Sequence, residues 1–290
     1  MVIKYLALIL LFSFSASAEK IYNNYSKISF NDNFTRVVTP WNHDQGIKIF
    51  ETAKYKKDFY HLAHLYQPQT NPLYCGIASS AIILNALNIG GSNMHNSVNY
   101  AINPLKIPTR GDGLIEGKKP DKSDDVHRFV KNKINFKFYT QDDVLNHQTE
   151  KIKSKGTINF RTKDKNGNYD PGLTLRQLSD ILKSHGLKTK IFYAKNQKKK
   201  GVEKFTKNLK SVLNDNNKYI VANFHGKTFG AKTGGHISPV VSYNDITGDI
   251  LILDVAAHKN PWYWVKIGPF YDAMQKKDGN LNRVYIIVSK

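Results

Sequence analysis

The stretch Gln69-Thr-Asn-Pro-Leu-Tyr-Cys75-Gly-Ile-Ala-Ser-Ser-Ala-Ile-Ile-Leu84-Asn-Ala-Leu87 changes character at its seventh residue. Up to Tyr74 it is polar and contains Pro72, whose fixed φ favours an extended approach. From Cys75 onward, Ala78, Ala81, Ile82, Ile83, Leu84 and Leu87 make it apolar nearly all round, which predicts a central, buried helix. Asn88-Ile89-Gly90-Gly91 supplies the stop. Cys75 then falls at or beside the helix N-terminus, where the helix dipole favours an anionic sulfur. It is the only cysteine of 290 residues. A structural cysteine more naturally lies mid-helix on an apolar face, so its position points to a reactive thiol.

Outward from this helix the chain divides. Glu19 to Tyr60 reads as a lead-in arm with one short helix, and Pro104 to Asn168 as a polar, loop-rich connection with short helices. Thr174-Leu-Arg-Gln177 is a capping box that opens a helix through His185, with Leu175, Leu178, Ile181 and Leu182 inward and Gly186 as stop. A strand at Lys188 to Ala194 and a helix over Val202 to Leu213 follow. β-branched runs then predict strands at Tyr219 to Phe224, Ile237 to Tyr243, Ile250 to Val255 and Val284 to Ser289. Asp245-Ile-Thr-Gly-Asp249 joins the middle pair as a hairpin. A short helix near Pro269 to Lys276 precedes the last strand. Helices first and an antiparallel sheet later is an α+β arrangement.

A thiolate nucleophile needs a base, the base an orienting partner, and the developing oxyanion a donor. Of ten histidines, His236 opens a strand directly after Thr233-Gly-Gly235, where glycine lets a substrate backbone come close. Asp254, eighteen residues on, closes the next strand. Antiparallel pairing brings the start of one strand beside the end of the other, so His236 and Asp254 meet. Gln69 offers an amide donor beside the Cys75 backbone N–H. Gln69, Cys75, His236 and Asp254, in that order, form the papain-like pattern. His61 and His64 lack a third metal ligand at sensible spacing and read as a surface helix face. No metal site is assigned.

The first residues carry Lys4, an apolar run from Tyr5 to Phe14 and the small residues Ala16-Ser-Ala18, the marks of a secretory signal. The apolar run is shorter than the roughly 20 residues a spanning helix needs. Residues 1–18 are therefore expected to be removed, residues 19–290 to form one domain without a transmembrane anchor, and the product to be periplasmic or extracellular. The net charge of +20 suits an anionic partner. The dense run Lys195 to Lys200 lacks interleaved aromatics and reads as a solvated loop, so nucleic acid is not expected.

At these residues the sequence resembles phytochelatin synthases, in their catalytic domain. Gln67-Pro-Gln-Thr-Asn-Pro-Leu-Tyr-Cys-Gly-Ile-Ala-Ser-Ser80 looks like the family's nucleophile segment. Gly234-Gly-His-Ile-Ser-Pro239 with Tyr243-Asn244 looks like its histidine segment, and Leu253-Asp-Val-Ala256 with Lys259, Pro261 and Trp264-Val265 like its aspartate segment. The resemblance implies a papain-like fold attacking the Cys–Gly bond of glutathione. Glycine leaves, a γ-glutamylcysteinyl thioester stays on Cys75, and water or a second glutathione then takes the acyl group. It further implies that Asp278 and Arg283 hold the γ-glutamyl ammonium and carboxylate, with Gly235 and Lys259 also at the substrate. The first half-reaction needs no cofactor, and a heavy-metal ion such as cadmium or zinc acts as a metal–glutathione thiolate. Oligomeric state stays open, a homodimer being one option.

Two departures bear on the second step. The family's arginine three residues after the aspartate is Ala257 here, and its aromatic before the proline is Asn260. Both positions are associated with the second substrate, so hydrolysis is expected to dominate. A cysteine peptidase on ordinary peptides and a non-enzymatic basic binding protein are the alternatives.

Overall fold

A seven-stranded antiparallel sheet forms the middle layer of the chain, in the order β1-β6-β5-β4-β3-β9-β2. The computed structural model describes residues 38–89, 138–160, 163, 167, 169–194, 198–278 and 281–290. The strands are β1 (Val38–Pro40), β2 (Lys188–Tyr193), β3 (Lys218–His225), β4 (Gly235–Asn244), β5 (Asp249–Ile252), β6 (Tyr263–Lys266) and β9 (Val284–Ser289). Two short strands, β7 (Lys277–Asp278) and β8 (Leu281–Asn282), pair separately. The helices are α1 (Asp44–Thr52), α2 (Lys57–Leu62), α3 (Cys75–Ile89), α4 (Gln141–Val144), α5 (Lys155–Phe160), α6 (Leu175–Ser184), α7 (Lys198–Val212) and α8 (Ile267–Gln275).

Period-2 alternation splits the strands between two cores. Along β3, Tyr219 and Val221 pack with α3 and α6, whereas Ile220, Ala222 and Phe224 pack with α7 and α8. Both faces are covered, which explains why the central strands read as nearly continuous apolar runs. Helix α3 lies on β4, with Ile77, Ala78, Ala81, Ile82, Ile83 and Leu84 fully buried. Gly76 is what lets it come so close. A Cβ there would stand 3.1 Å from Leu173 Cδ1 and 3.3 Å from Ile237 Cδ1. Ser79 Oγ ties the two elements through the carbonyls of Cys75 (2.8 Å) and Ile237 (3.2 Å).

The α+β class holds, and helix α6 keeps its capping box, with Gln177 N–H donating to Thr174 Oγ1 and Gly186 at φ 86°. Three expectations change. The lead-in arm contains a strand and two helices, because β1 completes the sheet edge against β6, with Val38 opposite Val265. The lysine run is not a loop at Lys198 to Lys200. These form the first turn of α7, where Lys198 pairs with Asp272 of α8 at 2.6 Å. Strand β5 stops at Ile252, so Asp254 lies beyond its end instead of closing it. The pairing of β4 with β5 shifts register between Val240 and Ser242, and past Ile252 the Leu253 N–H still donates to the Pro239 carbonyl at 3.0 Å. The signal segment and residues 90–137 lie outside the described residues. Among those described, no helix is long and apolar enough to cross a membrane.

Candidate active site

Cys75 is the first residue of α3, a free and partly exposed thiol. The turn that delivers it is closed by Asn71, whose Oδ1 accepts from Leu73 N–H at 2.9 Å and whose carbonyl accepts from Tyr74 N–H at 2.9 Å. Such Asx turns redirect the backbone locally, so the extended approach ends in helix at Cys75.

His236 enters from β4, opposite Phe224 of β3. It is 3% exposed, and its ring meets the Phe224 ring edge-on, 5.5 Å between centroids. Its Nε2 stands 2.7 Å from Asp254 Oδ1 and 3.0 Å from Ser238 Oγ. The Cys75 sulfur is close enough to this ring to act on its proton. With Nε2 committed to the acid, Nδ1 is the nitrogen left for the sulfur. Burial pushes the imidazole pKa down. The Asp254 carboxylate, by charge and hydrogen bond, and then the Cys75 sulfur outweigh burial and raise it to about 10. At neutral pH the ring is therefore an imidazolium held between an acid and a sulfur.

Asp254 is fully buried. Oδ1 also accepts from Ala256 N–H at 2.8 Å, and Oδ2 accepts from Asn260 Nδ2 at 3.1 Å. The Tyr263 hydroxyl is directed at the same carboxylate; burial and that neighbouring charge hold its pKa well above the ordinary 10. Tyr66 donates to the Asp254 carbonyl at 2.8 Å. Burial, partly offset by Trp262, pushes the Tyr66 phenol up to about 12. Oδ1 is thus shared by His236 and the Ala256 N–H, while Asn260 occupies Oδ2.

A second cluster adjoins the first. Arg283 Nη1 donates to Asn223 Oδ1 at 2.6 Å, Asn223 Nδ2 donates to Asp278 Oδ2 at 2.9 Å, and Arg283 Nη2 lies 3.5 Å from Asp278 Oδ1. Burial holds the guanidinium below its ordinary value, while Asp278 and the Cys75 sulfur pull it back up. The cation thus lies within electrostatic reach of the nucleophile. Beside it is a cavity of about 360 Å³ lined by Arg176, Tyr193, Asn223, Asp278, Asn282 and Arg283, among others. Its walls carry two guanidinium groups and one carboxylate.

The family model for phytochelatin synthase matches residues 31–102 and 125–284. The chain belongs to the phytochelatin synthase family. It is 24% identical over 253 residues to glutathione gamma-glutamylcysteinyltransferase 3 of Lotus japonicus, covering 85% of this chain and 41% of that protein. It is 35% identical over 103 residues to the glutathione gamma-glutamylcysteinyltransferase of Schizosaccharomyces pombe, covering 36% and 24%. Against glutathione gamma-glutamylcysteinyltransferase 2 of Arabidopsis thaliana the figures are 24% over 244 residues, 82% and 41%. The chain therefore spans about two fifths or less of the length of these relatives.

Of the residues singled out in the sequence, Cys75, His236 and Asp254 come together, and Asp278 and Arg283 come together beside them. Gln69 is anchored near by, its N–H donating to the Val255 carbonyl at 2.8 Å. Its Nε2 is turned to the carbonyls of Asn71 (2.9 Å) and Pro72 (3.1 Å). Donation to an oxyanion requires it to leave one of them. Gly235 has a use other than the one expected of it. A Cβ there would lie 2.7 Å from Arg283 Nη2 and 2.8 Å from Nη1, so the missing side chain makes room for the guanidinium. Lys259 is exposed on the turn after Asp254, with Ala257. Asn260, where the family carries an aromatic, is 2% exposed and spent on Asp254. Asn223 escaped the sequence reading. Its signal was a lone polar residue inside the apolar run Tyr219-Ile-Val-Ala-Asn-Phe224.

Proposed function

We propose that this chain cleaves the Cys–Gly peptide bond of glutathione, with Cys75 as nucleophile, and that water takes the acyl group in most turnovers. The observation that carries the proposal is the line Cys75, His236, Asp254, in which one imidazole is hydrogen-bonded to the acid and within electrostatic reach of the sulfur. The Cys75 sulfur, its proton passed to His236, attacks the carbonyl carbon. The oxyanion that forms is received by the Cys75 N–H and by Gln69. His236 returns its proton to the glycine nitrogen as the C–N bond breaks, leaving a γ-glutamylcysteinyl thioester. Water then loses a proton to His236 and adds to the thioester, and γ-glutamylcysteine leaves with Cys75 restored. Asp254 keeps the ring oriented throughout.

Specificity for the γ-glutamyl group rests on Asp278 for the ammonium and Arg283 for the carboxylate. Acyl transfer to a second glutathione is the minor course, because Ala257 and Asn260 replace the side chains associated with that substrate. Cadmium or zinc enters as a metal–glutathione thiolate, on the substrate side. The proposal includes a papain-like fold and export by residues 1–18.

The test is incubation of the purified protein with glutathione, with and without cadmium, followed by mass analysis. Free glycine with γ-glutamylcysteine is the expected result. Longer (γ-Glu-Cys)n-Gly products as the main yield would shift the balance to synthesis, and the absence of both kinds of product would refute the assignment. Asp278→Ala and Arg283→Ala separate this activity from an ordinary cysteine peptidase. Both should lose most activity on γ-glutamyl substrates.

A further inference from the structure

We infer that Arg176 is a second cation for the γ-glutamyl carboxylate, at the cavity beside Asp278 and Arg283. The inference rests on the γ-glutamyl assignment above and concerns which side chain meets the ligand.

Arg283 is partly committed before any ligand arrives, although its buried Nε has no hydrogen-bond partner among the described residues. One end of its guanidinium holds Asn223 at 2.6 Å and the other faces Asp278 at 3.5 Å, with the side chain 11% exposed. Its charge is balanced by Asp278, so these two alone make a nearly neutral pair. A zwitterionic head group needs an anion for its ammonium and a cation with donors to spare for its carboxylate. Arg176 supplies the second of these. It is exposed, it lines the same cavity, and no hydrogen bond or ion pair among the described residues engages its guanidinium. Its place is fixed by the capping box of α6, where Thr174 and Gln177 bond reciprocally and set the first turn against the cavity. The wall contributed by α6 is a different element from the β7–β9 segment that carries Asp278 and Arg283, so the carboxylate can be held from two sides.

With Arg176 included, the cavity carries a net charge of +1, which complements glutathione, whose two carboxylates and one ammonium give −1 at neutral pH. Division of labour follows. Asp278 takes the ammonium, Arg176 and Arg283 share the carboxylate, and Asn223 keeps Asp278 and Arg283 in register.

The experiment measures glutathione binding by calorimetry to the Cys75→Ser protein, with Arg176 intact, as Arg176→Ala and as Arg176→Lys. The second ligand is 4-aminobutyryl-Cys-Gly, the same peptide without the α-carboxylate. Loss of a charge-assisted hydrogen-bonded pair should weaken glutathione binding about 10- to 100-fold in Arg176→Ala, with partial recovery in Arg176→Lys. The decarboxylated peptide should bind equally weakly to all three. Glutathione affinity unchanged in Arg176→Ala overturns the inference while leaving the γ-glutamyl assignment standing. An equal loss for both ligands also overturns it, because the lost contact would not be to the carboxylate. No binding of glutathione to the Arg176-intact protein removes the γ-glutamyl assignment itself, and the inference with it.

Discussion

Asn260 Nδ2 donates to Asp254 Oδ2 at 3.1 Å, while Asn260 Oδ1 accepts from the Lys232 N–H at 3.2 Å. One buried amide therefore links the loop ahead of His236 to the acid behind it. A hydrogen bond to a charged group contributes about 1.5–3 kcal/mol. Asn260→Ala should lower kcat about tenfold or more and leave KM for glutathione nearly unchanged, since Asn260 does not line the cavity. Asp254→Asn, which disturbs the tautomer itself, should cost on the order of 10²–10⁴-fold. Steady-state glycine release measures both, and wild-type kcat in Asn260→Ala would remove the amide from the machinery.

At Gly235 the Arg283 guanidinium occupies the space a Cβ needs. The obstructing atoms are the far end of a flexible side chain, so Gly235→Ala should fold normally. It should displace the guanidinium from Asn223 and Asp278, raising KM for glutathione about tenfold, the scale of one charge-assisted contact. The matching measurements are KM and the thermal midpoint. A lowered midpoint with unchanged KM would place the strain in the strand instead of the site.

What was legible in the sequence was mostly local. The capping box at Thr174, the turn at Asn244 to Asp249 and the apolar helix from Cys75 each carry their signal within a dozen residues. The meeting of His236 with Asp254 was legible because a hairpin is itself local. The partner of β1 was not: Val38 pairs with Val265, and no local pattern announces a strand of three residues. The start of α7 was hidden because lysines at a helix N-terminus oppose its dipole. Lys198 is held there by Asp272 of α8, a contact invisible until the helices pack. Asn223, Asn260 and Arg176 join the site through side chains from separate elements. Their roles follow from the tertiary arrangement.

His236 keeps its proton to about 10 in the folded chain, against an ordinary 6.5. The folded state binds that proton more tightly than the unfolded chain does. The stability this contributes is complete below pH 6.5 and disappears as the pH rises through about 10. Thermal midpoints should therefore fall across that window. His236→Gln, which cannot titrate, should show a shallower fall. Parallel curves for the two proteins would mean that other groups govern the alkaline loss.

Asp58, in α2, is one such group, and it acts in the same direction for a different reason. Its side chain is fully buried, and neither carboxyl oxygen has a hydrogen-bond partner among the described residues. Burial, then the charge of Asp215, with Lys57 opposing, pushes its pKa from 3.8 up to about 9. The folded chain holds it protonated at neutral pH, whereas the unfolded chain ionises it. Its contribution is therefore complete below pH 3.8 and is lost progressively as the pH rises through about 9. Asp58→Asn keeps the shape and removes the titration. The amide still lacks partners, a cost present at every pH, so a stabilisation of about 2 kcal/mol is expected at pH 8, giving way to a net loss near pH 4. Denaturant unfolding at the two pH values measures it. An Asp58→Asn protein no more stable than wild type at pH 8 would mean that the carboxyl finds a partner or water once ionised. The double variant with His236→Gln should lose both shares of the alkaline slope.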